Sequence, residues 1–220
     1  MKIPALEHST EKHGFGIGWI LRRPTGVLSW MIAGFAIALA LTVIVLRLFG
    51  TEEPGTVLAL RMTARWSFLL FWLAYAGGAI ARVFGRFQGL ARHGRELGLA
   101  FAAAQLVHLG LIIWLYHIAT RPSGAMIFFW VGMLCTYLLV LFSMPRARDA
   151  LGLRLWLIFR TSAVEYIALV FAFDFIFLPL QAGVGKYPLS YLPFGFLLVF
   201  GAGLRIVALT SRRLNMVKPS

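Results

Sequence analysis

Six long apolar runs account for most of the chain. They lie at about 27–46, 63–83, 96–119, 125–144, 156–180 and 191–209, and each is bounded by Pro, Gly or charged residues. About 20 apolar residues in a helix cross a hydrocarbon layer of roughly 30 Å, because each residue adds about 1.5 Å. The runs are continuous, whereas a membrane β-barrel needs alternating residues in short segments. The sequence therefore predicts an all-α integral membrane protein, a bundle of six transmembrane helices.

Composition supports this class. Of the 220 residues, 60% are hydrophobic and 13% are charged, an apolar fraction that a soluble domain of this length does not need for its core. The net charge is +13. Lys and Arg between apolar spans usually report membrane orientation and contact with anionic lipid, so we expect membrane lipids and no nucleic acid as partners. The single cysteine, Cys135, excludes an intrachain disulfide and is expected to be a small buried hydrophobe.

The basic residues are distributed unevenly between the two sides of the predicted bundle. Sixteen of the 21 Lys and Arg fall on the side that carries both termini; the other five are Arg47, Arg61, Arg65, Arg121 and Lys186. By the positive-inside rule both termini are predicted to be cytoplasmic, in a multi-pass protein of the inner membrane. Residues 1–26 then form a cytoplasmic tail with an interfacial segment, 27–209 the transmembrane domain, and 210–220 a second cytoplasmic tail. A cleaved signal peptide is not expected, because the first apolar run is longer than a typical signal segment.

The third span carries an imidazole inside the apolar region. His108 lies about 18 Å along the helix from Glu96, near the bilayer midplane, and Gln105 falls on the same helical face. A polar side chain at this depth is unfavourable in lipid, so His108 should face other helices and is a functional candidate. His117 is rotated by about 180° and lies at the far interface. The two histidines therefore cannot bind one planar ligand together.

The fifth span contains Arg160, Glu165 and Asp174. Arg160 and Asp174 fall on nearly the same helical face, and Glu165 lies about 180° from Asp174. The depth of Glu165 is similar to that of His108, which allows a hydrogen bond between them. An isolated carboxylate would be desolvated there, so Glu165 should have a polar partner or a bound proton. A satisfied interhelical hydrogen bond and a proton or redox role are the two interpretations.

Three stretches resemble parts of a known family. They are SFLLFWLAYAGGAIARVFG at 67–85, RELGLAFAAAQLVHLGL at 95–111 and FSMPRARDALGLRLW at 142–156. In their order they resemble the ferric-reductase-like transmembrane domain, the six-helix haem-bearing unit of MsrQ/YedZ-type membrane subunits, ferric reductases and NADPH oxidases. The resemblance covers about residues 60–180.

This resemblance implies transmembrane electron transfer through haem b, with His108 as an axial ligand of the haem iron. Two further histidines of the family are absent, because their positions hold Arg160 or Thr161, and Phe173 or Asp174. From the residues alone, a methionine such as Met133 could supply the second axial ligand, although methionine in an apolar helix usually serves packing.

The sequence therefore leaves three hypotheses for the function. No stretch looks like a flavin or nicotinamide site, so in the first hypothesis, an oxidoreductase membrane subunit, the electron donor is a separate protein. The arginine-rich loop at 82–95 either reports topology alone or docks such a redox partner. In the second hypothesis the chain is a haem-less structural or accessory subunit of a larger membrane complex. In the third it is a small transporter or proton relay that uses His108, Glu165 and Asp174.

Overall fold

A computed structural model describes residues 24–119, 126–181 and 189–217, and in these ranges the chain is helical and contains no strand. The predicted N-terminal tail up to residue 23 and the loops at 120–125 and 182–188 lie outside the described residues. The helices are α1 (Pro24–Phe49), α2 (Glu53–Phe84), α3 (Gln88–Arg92), α4 (Gly94–Ile118), α5 (Met126–Phe142), α6 (Pro145–Leu151), α7 (Leu153–Ala172), α8 (Leu178–Gln181) and α9 (Leu192–Val217). A π-helical turn, Phe173–Phe177, joins α7 to α8, and a 3-10 turn, Leu189–Tyr191, precedes α9.

Five of the described segments are long and apolar enough to cross a membrane. They are Gly26–Phe49, Glu53–Phe84, Gly94–Ile118, Leu153–Gln181 and Leu192–Ser211. The pair α5 and α6 passes the same test together, but it is bent by 103° at the break between the two helices. The described residues thus contain five such helices, or six if the bent pair is one span. The prediction of an all-helical, multi-pass membrane protein is confirmed at this level.

Helix α2 is longer than the apolar run that predicted it. It begins at Glu53 rather than near residue 63, with Pro54 in its first turn, where the fixed backbone angle of proline suits a helix. Gly85 follows its last residue in the left-handed conformation, with φ 63°, and ends the helix. The difference arises because hydropathy detects the apolar stretch, whereas the helix itself continues through Arg61 and Arg65.

The bundle is organised around α2, which packs against α1, α4 and α9, while α5 packs mainly against α7. Glycine residues lie where two helices approach each other most closely. A Cβ on Gly34 of α1 would lie 2.5 Å from the carbonyl oxygen of Ala100, and one on Gly77 would lie 3.0 Å from Cβ of Leu90 in α3. The glycines therefore allow helix contacts that larger residues would prevent.

Aromatic side chains fill the centre of the bundle. Phe68 is fully buried, and its ring lies 5.2 Å from that of Phe171 and 5.1 Å from that of Phe175 in edge-to-face contacts. Phe71 joins the same cluster, with its ring 5.2 Å from Phe171. Cys135 is a free, partly buried thiol that packs against this core.

Candidate functional site

The His108 imidazole is held by α2. Its Nδ1 lies 2.9 Å from Oγ1 of Thr63, which is fully buried. The same hydroxyl lies 3.1 Å from the carbonyl oxygen of Ala59 and 3.0 Å from that of Leu60. A hydroxyl has one proton to donate, so these contacts are satisfied together when Thr63 donates to its own backbone and accepts the Nδ1–H of His108. That tautomer leaves a lone pair on Nε2, for which no hydrogen-bond partner is found among the described residues.

His108 lines a cavity of about 260 Å³ that is enclosed by α2, α4, α5, α7 and the π-helical turn. Other polar side chains share its wall, among them Gln105, Thr136 and Asp174, which come from three different segments. Most of the remaining wall is apolar or aromatic. Of the polar residues that the sequence predicted as candidates, three therefore meet here: His108, Gln105 and Asp174.

The polar groups of the cavity are mainly hydrogen-bond acceptors. Gln105 is only 9% exposed, and its Oε1 is buried without a hydrogen-bond partner. Thr136 donates its hydroxyl proton to the carbonyl of Gly132 at 2.9 Å, which leaves lone pairs on its oxygen. Asp174 makes no hydrogen bond or ion pair with another residue in the described ranges, although the charges of Arg61 and Arg65 act on it. The cavity therefore presents unused lone pairs in an apolar environment.

The π-helical turn positions the carboxylate of this cavity. Asp174 is its second residue, and the turn interrupts the regular helix that runs from α7 into α8. The wider turn changes the angular register of the residues that follow α7. Single π turns inside α-helices occur frequently at functional sites. No sequence pattern in this span indicated the turn.

Glu165 lies in a separate cluster with residues of α2 and α9. Arg205 donates from Nη2 to its Oε1 at 2.7 Å, and the Tyr75 hydroxyl donates to its Oε2 at 3.0 Å. The Arg205 guanidinium also donates to the backbone oxygen of Tyr75 at 3.2 Å and lies 4.2 Å from the centroid of the Tyr75 ring. Glu165 thus has polar partners. It makes no hydrogen bond with His108, because His108 lies on the wall of the cavity, which Glu165 does not line.

The remaining predicted residues lie on the surface. Arg160 is on the exposed face of α7 and does not line the cavity, and His117 is exposed near the end of α4. The sequence analysis missed Thr63, Tyr75 and Arg205. Only Arg205 carried a signal, because it is a charged residue inside the sixth apolar run. Threonine and tyrosine in an apolar span are too common to indicate a site.

The haem that the resemblance implies needs iron ligands and enough volume in this cavity. His108 on α4 and Met133 on α5 both line it, so one imidazole and one thioether are present as iron donors. Cavities that enclose a drug-sized ligand measure about 300–1,000 Å³. A haem belongs to the large end of that class, so a cavity of about 260 Å³ does not enclose it. The donor atoms therefore fit a haem iron, whereas the volume of the cavity lies below the range for sites that enclose a ligand of that size.

The residues likewise do not form a metal centre of side-chain ligands. Within the described ranges there is no group of three or more His, Cys, Asp or Glu that could hold a metal ion. No family model, curated protein or solved structure matches the chain. The likeness to the ferric-reductase-like domain consequently stays a prediction.

Proposed function

We propose that the protein handles a proton or a small cation at the central cavity, as a small transporter or proton relay of the cytoplasmic membrane. The observation that carries this proposal is the convergence of Nε2 of His108, Oε1 of Gln105 and the carboxylate of Asp174 on one apolar cavity. All three offer lone pairs, and no hydrogen bond from a described residue to any of these three groups is found. Polar and ionisable side chains inside membrane spans typically mark ion pathways and proton relays.

The free-energy cost of burying a polar group without a partner supports an occupant in the cavity. A buried acceptor without a partner costs about 1–3 kcal/mol, and Gln105 Oε1 is such a group, so its retention favours an occupant that donates a hydrogen bond to it. A volume of about 260 Å³ holds roughly nine water molecules at about 30 Å³ each. A proton delivered to Nε2 by a hydronium ion in such water converts the ring to imidazolium and leaves a water molecule, and its transfer to the Asp174 carboxylate restores the neutral imidazole.

The predicted orientation of the chain in the membrane indicates the side from which the cavity is reached. With both termini in the cytoplasm and α5 with α6 counted as one of six spans, the cavity lies in the outer half of the bilayer. On its cytoplasmic side the rings of Phe71, Phe101 and Phe171 pack together, with centroids 5.2–6.1 Å apart. This packing supports a cavity that communicates with the outer side and is closed towards the cytoplasm.

Proton flux into liposomes tests the proposal. The full chain is reconstituted in vesicles that contain a pH-sensitive dye, and a pH step is applied. We expect Asp174→Asn to lower the protein-dependent flux at least tenfold, because it removes the only carboxylate that the described residues contribute to the cavity wall. Asp149→Asn is the matched control, since Asp149 is exposed on α6 and pairs with the neighbouring Arg148. Equal flux in all three proteins would exclude the cavity as the proton site.

The second candidate is the electron-transfer membrane subunit that the resemblance implies, with a separate protein as donor. One observation favours it: Thr63 orients His108 so that Nε2 keeps its lone pair, the arrangement that haem- and metal-ligating histidines share. A reducible Soret band in purified protein, lost in His108→Ala, would establish this function. A colourless, folded protein that co-purifies with a larger complex would instead support the haem-less accessory subunit.

A further inference from the structure

We infer that the central cavity recognises an organic ammonium ion, a monovalent cation with apolar substituents. This inference rests on the proposed function and names its ligand class. It is carried by the combination of one carboxylate, neutral acceptors and a wall of aromatic rings, all in one cavity of limited volume.

Aromatic rings form much of the cavity wall. Five of them line it, from α4, α5 and α7: Phe101, Tyr116, Phe129, Trp130 and Phe171. The face of an aromatic ring attracts a cation, most strongly when the cation is poorly hydrated, and aromatic cages are the usual sites for quaternary ammonium groups. A proton or a hydrated metal ion would make no use of these rings. Their presence therefore favours an organic cation over an inorganic one.

The acceptors of the cavity complement the N–H groups of such a ligand. A primary ammonium carries three donors, and Gln105 Oε1, His108 Nε2 and the Asp174 carboxylate provide three acceptors. Among the described residues of the wall, only Asp174 contributes a formal negative charge, and the positive charges of Arg61 and Arg65 offset part of its field. This balance favours a ligand with a single positive charge.

The volume of the cavity and its accessibility also fit an organic ammonium ion. The volume of about 260 Å³ corresponds to roughly nine water-sized groups, enough for a cation of similar heavy-atom count. Tyr116 and Trp130 are 39% and 44% exposed, so the wall is open where these residues lie. A cation with apolar substituents concentrates at membrane interfaces, as aromatic side chains themselves do. It could therefore reach the cavity from the bilayer.

The test is calorimetric binding of benzylammonium to the full chain in detergent micelles, with benzyl alcohol as a neutral probe of nearly the same shape. We expect wild-type protein to bind benzylammonium at least tenfold more tightly than benzyl alcohol. Asp174→Asn should lose at least tenfold in affinity for the cation. Trp130→Leu should lose about threefold to tenfold, because it removes one ring of the wall. Trp114→Leu is the matched control, since Trp114 is also exposed but does not line the cavity.

Each outcome separates this inference from the proposed function. Equal binding of benzylammonium and benzyl alcohol by the wild-type protein would overturn the inference without relying on any variant. Asp174-dependent proton flux without cation binding would overturn the ligand class and leave the proton site intact. Flux that does not depend on Asp174 would overturn the proposed function itself.

Discussion

The ion pair between Arg205 and Glu165 joins α9 to α7 within the membrane-spanning region, and its removal should destabilise the bundle. The two side chains are 27% and 48% exposed, and the N–O distance is 2.7 Å. Substituting methionine for Arg205 keeps an unbranched side chain but leaves the carboxylate with the Tyr75 hydroxyl as its remaining partner. Removing one partner of a buried pair costs about 3–5 kcal/mol, and partial exposure reduces this to about 2–3 kcal/mol here.

The neighbouring substitutions should follow a definite order. Tyr75→Phe removes one hydrogen bond, and interhelical hydrogen bonds in membranes contribute about 0.6 kcal/mol on average and at most about 1.7 kcal/mol. Arg205→Met should therefore destabilise more than Tyr75→Phe. Combining Arg205→Met with Glu165→Gln should cost about 1–2 kcal/mol less than the sum of the single changes, because each change removes the same contact.

Thermal unfolding in detergent measures these differences. At about 2–4 °C per kcal/mol for a chain of this size, Arg205→Met should lower the Tm by about 5–10 °C. Arg82→Met is the matched control, since Arg82 reaches only the carbonyl of Ala208, at 3.5 Å. If the double variant equals the sum of the single variants within about 0.3 kcal/mol, the two charges do not stabilise each other and the reasoning fails.

Two further predictions concern a helix contact and the orientation of the imidazole. Gly34→Ala should lower the stability by about 1–3 kcal/mol, because its Cβ would lie 2.5 Å from the carbonyl oxygen of Ala100; Gly78→Ala, at an open position, should be neutral or stabilising by up to about 1 kcal/mol. Melting curves of the two variants, if they coincide, would refute the close contact. Thr63→Val should lower the stability by about 1–3 kcal/mol, because it leaves the Nδ1–H of His108 without an acceptor, and it should lower the proton flux about tenfold, because the ring is no longer oriented. Unchanged flux would show that this orientation has no role.

Part of the site could be predicted from helical spacing alone. His108 and Gln105 are three residues apart, so one face of α4 carries both, and both line the cavity. The contribution of Asp174 could not be predicted in the same way, because a π-helical turn changes the register of its span. The depth of Glu165 matched that of His108, yet the two side chains have different partners. Depth specifies the height of a residue in the bilayer and says nothing of the helix that it faces.

The amino-acid sequence by itself determined that this is a multi-pass helical membrane protein. The physical reason is that the free energy of transferring a side chain from water to hydrocarbon depends on the type of residue and on its position along the span. Only the tertiary structure decided which polar groups meet. Thr63 with His108, and Tyr75 and Arg205 with Glu165, are pairs from different helices. Such pairs depend on which helix faces which, and this is set by glycine contacts and aromatic packing across the whole bundle.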